Sequence, residues 1–162
     1  MSAKIIVAGG GHGGIAAAAL LAKNGFDVTV YEKHERNAMG YDWTDIFDKK
    51  GLFAIGLGLP DCDKYALKND MTFFNPTLEY KLKQHTPEDE LEIQMERTDI
   101  YDMLISYAEE YGVKFEFGTE VLGPVMLGNR VAGIRTDKGD HYADLVIDAC
   151  GASSVDIAGA GT

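Results

Sequence analysis

The spacing of apolar residues along this chain is in some segments typical of strands and in others typical of helices, and the first third of the chain contains both kinds of segment. Residues 4–8 (KIIVA) form an apolar run that is typical of a strand buried on both faces. Residues 15–24 are rich in alanine and predict a helix that ends before Gly25. A second strand is predicted over residues 27–32. Strand, turn, helix and strand within about 30 residues form a βαβ unit, whose two strands run parallel.

A helical period returns near residue 98. Apolar residues then recur at a spacing of three and four, which predicts a helix whose apolar stripe lies in the core. Thr98 is the predicted N-cap and Gly112 ends the helix. The residues of the stripe are Ile100, Met103, Leu104, Tyr107, Ala108 and Tyr111.

The last part of the chain has the strict alternation of strands. We predict a strand over 113–117, a hairpin around residues 128–129, a turn at 137–140 and a final buried strand over 145–149. Residues 33–96 give no clear pattern, and "HTPEDELE" within them indicates a solvated acidic turn. The whole chain, 1–162, is therefore predicted to be one α/β domain with a central parallel sheet interrupted by a β-meander.

Five of the six residues from Gly9 to Gly14 are glycines, and His12 is the exception. Gly9, Gly11 and Gly14 satisfy the pattern G-x-G-x-x-G, which gains a mechanism here because it follows a predicted strand and opens a predicted helix. The first glycine allows a tight turn, the second lets a diphosphate approach the main chain, and the third lets the helix pack on the strand. Gly10 and Gly13 complete the candidate phosphate loop.

Glu32 strengthens the prediction of a dinucleotide site. It ends the second strand, 18 residues after Gly14, where a carboxylate can accept hydrogen bonds from an adenosine ribose. A 2′-phosphate at this position would be repelled, which disfavours NADP. His12 has two interpretations, a donor to a diphosphate oxygen and an exposed loop side chain, and the second is favoured.

Composition and charge limit the other classes of function. The chain of 162 residues is 46% hydrophobic and 25% charged, which suffices for one globular domain with a real core. A formal net charge of −11 argues against nucleic acid as a partner. We expect no secretory signal and no integral membrane segment, because apolar runs are short. Cys62 and Cys150 form neither a disulfide framework nor a metal cluster, so we expect a cytoplasmic protein without a metal site.

Three segments resemble the FAD-dependent oxidoreductases of the geranylgeranyl-reductase and aromatic-hydroxylase-like group. "IIVAGGGHGGIAAAALLAKNGFDVTVYEK" is similar to the N-terminal FAD fingerprint, in which a basic residue, here Lys33, follows the acid. "MERTDIYDMLISYAEEYGVKFEFGTEV" resembles a later segment that contacts the cofactor. "ADLVIDACGASS" resembles a third motif near the FAD phosphates, but Cys150 stands where the family has aspartate.

This resemblance implies a Rossmann-like FAD/NAD(P)-binding fold and FAD as the cofactor. It also implies cofactor contacts from Arg97, Val121 and Gly151. Members of the group continue into a C-terminal substrate part that this chain lacks. We therefore expect the chain to be a piece or a shortened relative, for which catalytic activity stays open.

The residues leave two other functions open: an NAD-binding protein with the same fingerprint, and a nucleotide-binding fragment without activity. Tyr41 and Trp43 can either wall a flavin ring or form an ordinary apolar cluster. Cys150 is interpreted as a small buried residue and not as a redox thiol. No catalytic residue is predicted, and the small-molecule substrate and any homo-oligomer stay open.

Overall fold

The computed structural model of the chain describes residues 2–153 and 157. Within these residues the backbone forms three α-helices: α1 (His12–Lys23), α2 (Lys50–Ala54) and α3 (Arg97–Glu110). The twelve strands of the same residues are, in chain order, β1 (Lys4–Ala8), β2 (Asp27–Tyr31), β3 (Thr44–Phe47), β4 (Tyr65–Lys68), β5 (Met71–Phe74), β6 (Lys81–Gln84), β7 (Glu92–Glu96), β8 (Lys114–Glu116), β9 (Val121–Leu127), β10 (Arg130–Thr136), β11 (Gly139–Tyr142) and β12 (Leu145–Asp148). No helix in this described part has the length and apolar character needed to cross a bilayer.

The chain groups into two compact units. Unit 1 comprises residues 1–39 and 101–162, and unit 2 comprises residues 40–100. In sequence, unit 2 is therefore an insertion between β2 and β8. The division falls within α3, whose first residues belong to unit 2.

The centre of unit 1 is a parallel sheet in the order β12-β1-β2-β8. Ala8, the last residue of β1, lies opposite Asp148 on one side and Tyr31 on the other. Tyr31 in turn lies opposite Glu116 of β8. The carboxyl ends of all four strands thus meet at one edge, and the predicted α/β fold with a central parallel sheet is confirmed.

An antiparallel meander, β9-β10-β11, connects β8 to β12 in unit 1. It confirms the predicted hairpin and turn. Ile6 and Tyr31 of the parallel sheet are buried in one apolar cluster with Val121 and Ile134 of the meander. This burial of apolar surface from both sheets fixes the meander beside the parallel strands.

Unit 2 contains the three-stranded antiparallel sheet β3-β7-β4 and the hairpin β5-β6. Its core includes Ile93 and Met95 of β7, which are 0% and 2% exposed. The strands β3 to β6 have four residues each and leave large apolar side chains such as Phe73 and Leu82 exposed. An alternation of buried and exposed side chains is therefore missing, and this explains why the sequence pattern did not predict these strands.

Two expectations for α3 are wrong. The helix begins at Arg97, so Thr98 lies inside it and is not the N-cap. Tyr111 is 39% exposed, because the helix ends at Glu110 and the chain then turns away from the helical stripe. Ile105, which the predicted stripe omits, is fully buried, so the buried face of α3 is wider than the stripe.

Candidate functional site

The glycine loop, residues 9–14, follows the central strand of the parallel sheet. Strand β1 has β2 on one side, which continues the chain through α1, and β12 on the other, which comes late in the sequence. The strand order therefore reverses at β1. In open α/β sheets, ligands bind outside the carboxyl ends of the strands at such a point.

Two of the loop glycines are required by the packing of the protein itself. Gly9 has φ +99°, donates its N–H to Tyr31 O at 2.8 Å, and would place a Cβ 2.5 Å from Ala149 O. A Cβ on Gly14 would overlap the carbonyl oxygen of Gly9. Residues with side chains are therefore excluded at both positions, in agreement with the tight turn and the close helix packing that the motif predicts.

Two other loop glycines border open space. A Cβ built on Gly11 or on Gly13 would meet no atom within 4 Å. Gly11 is the N-cap of α1 and has φ −69°, which any residue can adopt. The absence of a side chain at Gly11 and Gly13 is thus not explained by packing within the protein. It leaves the N–H groups and the positive dipole end of α1 accessible to an anionic group.

Glu32 lies directly across from this loop. The residue is 8% exposed, and its Oε2 accepts a hydrogen bond from the main-chain N–H of Gly10 at 2.8 Å. A Cβ on Gly10 would come within 3.0 Å of the Glu32 Cβ, so glycine at position 10 is what lets the acid approach the loop. The structure therefore brings together, in unit 1, the loop that is predicted to bind a diphosphate and the acid that is predicted to bind a ribose.

A histidine that the sequence did not single out contacts the same carboxylate. Glu32 Oε1 accepts the main-chain N–H of His34 at 2.9 Å, and the His34 ring Nδ1 lies 2.6 Å from the same oxygen. No sequence motif predicts a contact between two residues that are two positions apart at the end of a strand.

His12 is the first residue of α1 and is half-buried. Its ring packs on Tyr101 of α3, with ring centroids 4.6 Å apart and an interplanar angle of 37°. The interpretation of His12 as an exposed loop side chain is therefore wrong, because Tyr101 covers it. A contact between His12 and a diphosphate stays a prediction.

The remaining predicted site residues of unit 1 differ in exposure. Lys33 is exposed, and Gly151 is exposed in a short 3-10 turn after β12 with φ +61°. Val121 is 8% exposed and its side chain belongs to the core cluster of unit 1. The side chain of Val121 therefore serves packing, and its predicted contact with a cofactor stays a prediction, as do those of Lys33 and Gly151.

Cys150 lies at the end of β12, beside the first strand. Its Sγ donates to Ala8 O at 3.4 Å, and its N–H donates to Asp148 Oδ1 at 3.0 Å. Burial, followed by the nearby Asp148 carboxylate, raises the pKa of the Cys150 thiol to about 11. The group is thus a neutral thiol at pH 7, which fits the interpretation of a small packed residue.

Arg97 is placed in unit 2, as the first residue of α3. Its guanidinium donates from Nε to Asp45 Oδ2 at 2.7 Å and from Nη2 to Asp45 Oδ1 at 2.5 Å. Its main-chain N–H donates to Trp43 O at 2.8 Å, and the exposed ring of Tyr41 lies 4.6 Å from the guanidinium carbon. The hydrogen bonds to Asp45 raise the pKa of Arg97 above its usual range. Arg97 is therefore held as a permanent cation.

Candidate metal ligands do not converge in the part of the chain that is described. Among residues 2–153 and 157, no three His, Cys, Asp or Glu side chains are grouped so that they could hold a metal ion. Cys62 is exposed and Cys150 is half-buried, and both are free thiols.

Comparisons with known proteins agree with this fold. Residues 7–58, which include the last two residues of β1 and all of α1 and β2, match the family described as the NAD(P)-binding Rossmann-like domain. A digeranylgeranylglycerophospholipid reductase of Haloferax volcanii is 30% identical over 154 residues, which cover 93% of this chain and 36% of the relative. The chain thus spans about a third of the length of that relative.

Solved structures extend the likeness beyond the first βαβ unit. A geranylgeranyl bacteriochlorophyll reductase-like protein of Thermoplasma acidophilum has a TM-score of 0.77 at 22% identity, over 91% of this chain and 39% of the other. The myxobacterial chondrochloren halogenase, a variant of the FAD-dependent halogenases, has a TM-score of 0.73 at 21% identity, over 94% and 38% of the two chains. The chain therefore has a Rossmann-like fold and is similar over nearly its whole length to part of a digeranylgeranylglycerophospholipid reductase, which confirms the resemblance found in its sequence.

Proposed function

We propose that this chain binds FAD through the ADP moiety, as the FAD-binding domain of a flavin-dependent oxidoreductase. One observation carries the proposal: the main-chain loop, open where a Cβ would stand at Gly11 and Gly13, binds a buried carboxylate, Glu32, through the N–H of Gly10. A diphosphate needs main-chain N–H donors without side chains in the way, and a ribose needs an acceptor beside them. The residues present therefore fit the group.

In this proposal the diphosphate lies against the loop 9–14 and the N-terminus of α1. Glu32 accepts from the adenosine ribose, and His12, Lys33 and Gly151 are further cofactor contacts in unit 1. The contacts of Arg97, Val121 and Gly151 rest on the family resemblance alone. FAD, when bound, supplies hydride transfer, so this chain need only hold and orient it. We assign no catalytic residue.

The whole chain, 1–162, acts in this proposal as one cofactor domain, and a C-terminal part of the kind found in longer relatives supplies the small-molecule substrate site. The chain spans 36% of the length of its Haloferax relative, which supports this view. A cytoplasmic location and self-association stay predictions, and the two free thiols suit a reducing compartment.

NAD binding is the second candidate function. The family that residues 7–58 match is described by NAD(P) binding, and the ADP moiety is common to both cofactors. Glu32 would repel the 2′-phosphate of NADP, so NAD is the relevant alternative. A third candidate is a nucleotide-binding fragment without activity of its own.

Cofactor titration of the purified chain separates these functions. We expect a flavin absorption band in the purified protein, or a dissociation constant for FAD far below that for NAD. Tighter binding of NAD would replace the proposal by the second candidate. Weak binding of both cofactors would favour the third candidate, a nucleotide-binding fragment without activity.

Replacement of Glu32 tests the ribose contact. We expect Glu32→Ala to weaken FAD binding by about 1–3 kcal/mol, because a charge-assisted hydrogen bond is lost. Calorimetric titration with FAD measures this, and Glu120→Ala, on an exposed carboxylate of the same unit, is the control. A dissociation constant that Glu32→Ala leaves unchanged would show that Glu32 does not contact the ligand.

A further inference from the structure

The Glu32 carboxylate is held from two sides, and only one side is part of the glycine loop. Gly10 donates its main-chain N–H to Oε2. On the other side, His34 directs both its main-chain N–H and its ring Nδ1 at Oε1, at 2.9 and 2.6 Å. A carboxylate oxygen only accepts, so the ring nitrogen carries the proton in this contact.

His34 owes its position to the main chain around it. Its carbonyl accepts the N–H of Gly118 at 3.1 Å. Two residues earlier, the main-chain N–H of Glu32 donates to Glu116 O at 3.1 Å, and the main-chain carbonyl of Glu32 accepts the N–H of Thr119 at 2.9 Å. The segment after β2 is thus fixed to the segment after β8 at both ends of the Glu32–His34 pair, although the His34 side chain is 54% exposed. These main-chain hydrogen bonds fix the backbone from which the His34 ring reaches Glu32.

The three donors leave the carboxylate in a defined state. The two oxygens of a carboxylate offer about four acceptor positions. Within residues 2–153 and 157, Oε1 receives two donors from His34 and Oε2 receives one from Gly10, so one acceptor position on Oε2 has no donor from these residues. Oε2, which carries this position, is the oxygen that Gly10 of the loop binds.

We propose that His34 is a positioning residue that orients Glu32 so that a single acceptor position on Oε2 receives a ribose hydroxyl. This inference rests on the proposed function and assigns a specificity role to a side chain outside the glycine motif. Without the ring, Oε1 keeps the main-chain N–H of residue 34, and two donors instead of three hold the carboxylate, so its remaining acceptor position is less closely fixed. The effect then falls on ligands that carry the ribose hydroxyl and spares those that lack it.

The test uses ADP and its 2′-deoxy and 3′-deoxy analogues with the full chain. We expect His34→Ala to weaken ADP binding about threefold to tenfold, the equivalent of one net hydrogen bond. It should leave binding of the deoxy analogue that lacks the recognised hydroxyl unchanged. His34→Asn should restore the wild-type preference, because its amide nitrogen is bonded to Cγ, as ring Nδ1 is. His34→Gln places the amide one atom further out and should not restore it.

His85→Ala is the matched control. His85 Nδ1 lies 2.7 Å from Asp70 Oδ1, a similar contact on an exposed surface of unit 2, and its loss should not change ADP binding. In a Glu32→Gln background, His34→Ala should add no further loss. Unfolding midpoints of all variants show which of them fold, and His34→Gln carries the test if His34→Ala does not.

Two outcomes overturn the inference alone: wild-type affinity of His34→Ala for ADP, or an equal loss for ADP and both deoxy analogues. A wild-type chain that binds neither ADP nor FAD overturns the proposed function and this inference with it. The two failures are therefore distinguishable.

Discussion

A largely buried carboxylate is held in place in each unit of this chain, and the two carboxylates have different donors. In unit 1, Glu32 accepts main-chain N–H groups and a histidine ring. In unit 2, Asp45 of β3 accepts two hydrogen bonds from the Arg97 guanidinium at the start of α3. Main-chain donors orient a carboxylate without cancelling its charge, whereas a guanidinium also neutralises it. Glu32 thus keeps its charge, as the proposed ribose contact requires, whereas Asp45 joins two elements.

The same contrast applies to the residues that shape each region. The site of unit 1 is defined by missing side chains, since packing excludes them at Gly9 and Gly14 and open space adjoins Gly11 and Gly13. In unit 2, Arg97 and Asp45 form a charged pair whose side chains are 22% and 20% exposed. Steric changes should therefore dominate in unit 1 and electrostatic changes in unit 2.

The largest effect on folding is expected at Gly14. A valine there would overlap Gly9 O and contact Ala149 Cβ, and neither can move without shifting β1 or β12. Gly14→Val should lower the free energy of unfolding by about 3 kcal/mol, at the upper end of the usual cost of overpacking. Denaturant unfolding measures it.

Gly13→Ala is the matched control for this prediction. Its Cβ would enter open space within α1, so stability should stay level or rise by up to about 1 kcal/mol. Equal midpoints for Gly14→Val and Gly13→Ala would contradict the packing argument.

A smaller loss is expected from Asp45→Asn in unit 2. The change leaves the half-buried guanidinium of Arg97 without its charged acceptor and should cost about 1–3 kcal/mol of unfolding free energy. Asp27→Asn gives the comparison, because Asp27 pairs at 2.9 Å with the exposed Lys114 and should cost less than about 1 kcal/mol. Similar shifts of the urea midpoint in both variants would show that burial does not distinguish the pairs.

The two units can also be compared by the reactivity of their thiols, Cys150 in unit 1 and Cys62 in unit 2. Burial holds the pKa of Cys150 near 11, whereas Cys62 of unit 2 is exposed. At pH 8, iodoacetamide should therefore alkylate Cys62 first, and Cys150 should lag by roughly tenfold or more because the thiolate is the nucleophile. Peptide mass spectrometry in native buffer and in denaturant resolves the two sites, and equal native rates would contradict the shift.

The raised pKa of Cys150 also determines the direction in which the free energy of unfolding changes with pH. Between about pH 9 and 11 the folded thiol keeps a proton that the unfolded chain has released. The free energy of unfolding should thus fall as the pH rises through this interval, and Cys150→Ala should remove that part of the fall.

The fold of unit 1 could largely be predicted from its sequence. Strand β1 matches the predicted residues 4–8, and the glycine spacing placed the loop and Glu32 at one edge of the sheet. This works because a buried parallel strand and a G-x-G-x-x-G turn restrict composition at each position. The prediction of Thr98 as the N-cap of α3 was wrong, because the helix already begins at Arg97, which also pairs with Asp45.

Unit 2 and the contact of His34 could not be predicted. Strands β3 to β6 are short and present exposed apolar residues such as Phe73, so periodicity carries no signal there. The His34 contact depends on the main-chain hydrogen bonds of Gly118 to His34 and of Thr119 to Glu32, which join segments far apart in sequence. Long-range contacts of this kind set side-chain positions that local patterns do not encode.

The affinity of Gly11→Thr for FAD is the most direct test of the central claim, that open main chain in the loop exists to receive a diphosphate. Threonine suits an N-cap and would meet no protein atom within 4 Å at its Cβ, so the free energy of unfolding should change by less than about 0.5 kcal/mol. The added side chain would occupy the space assigned to the diphosphate, and we predict at least a roughly tenfold higher dissociation constant, about 1.4 kcal/mol. A folded Gly11→Thr chain that binds FAD as tightly as the wild type would contradict the account.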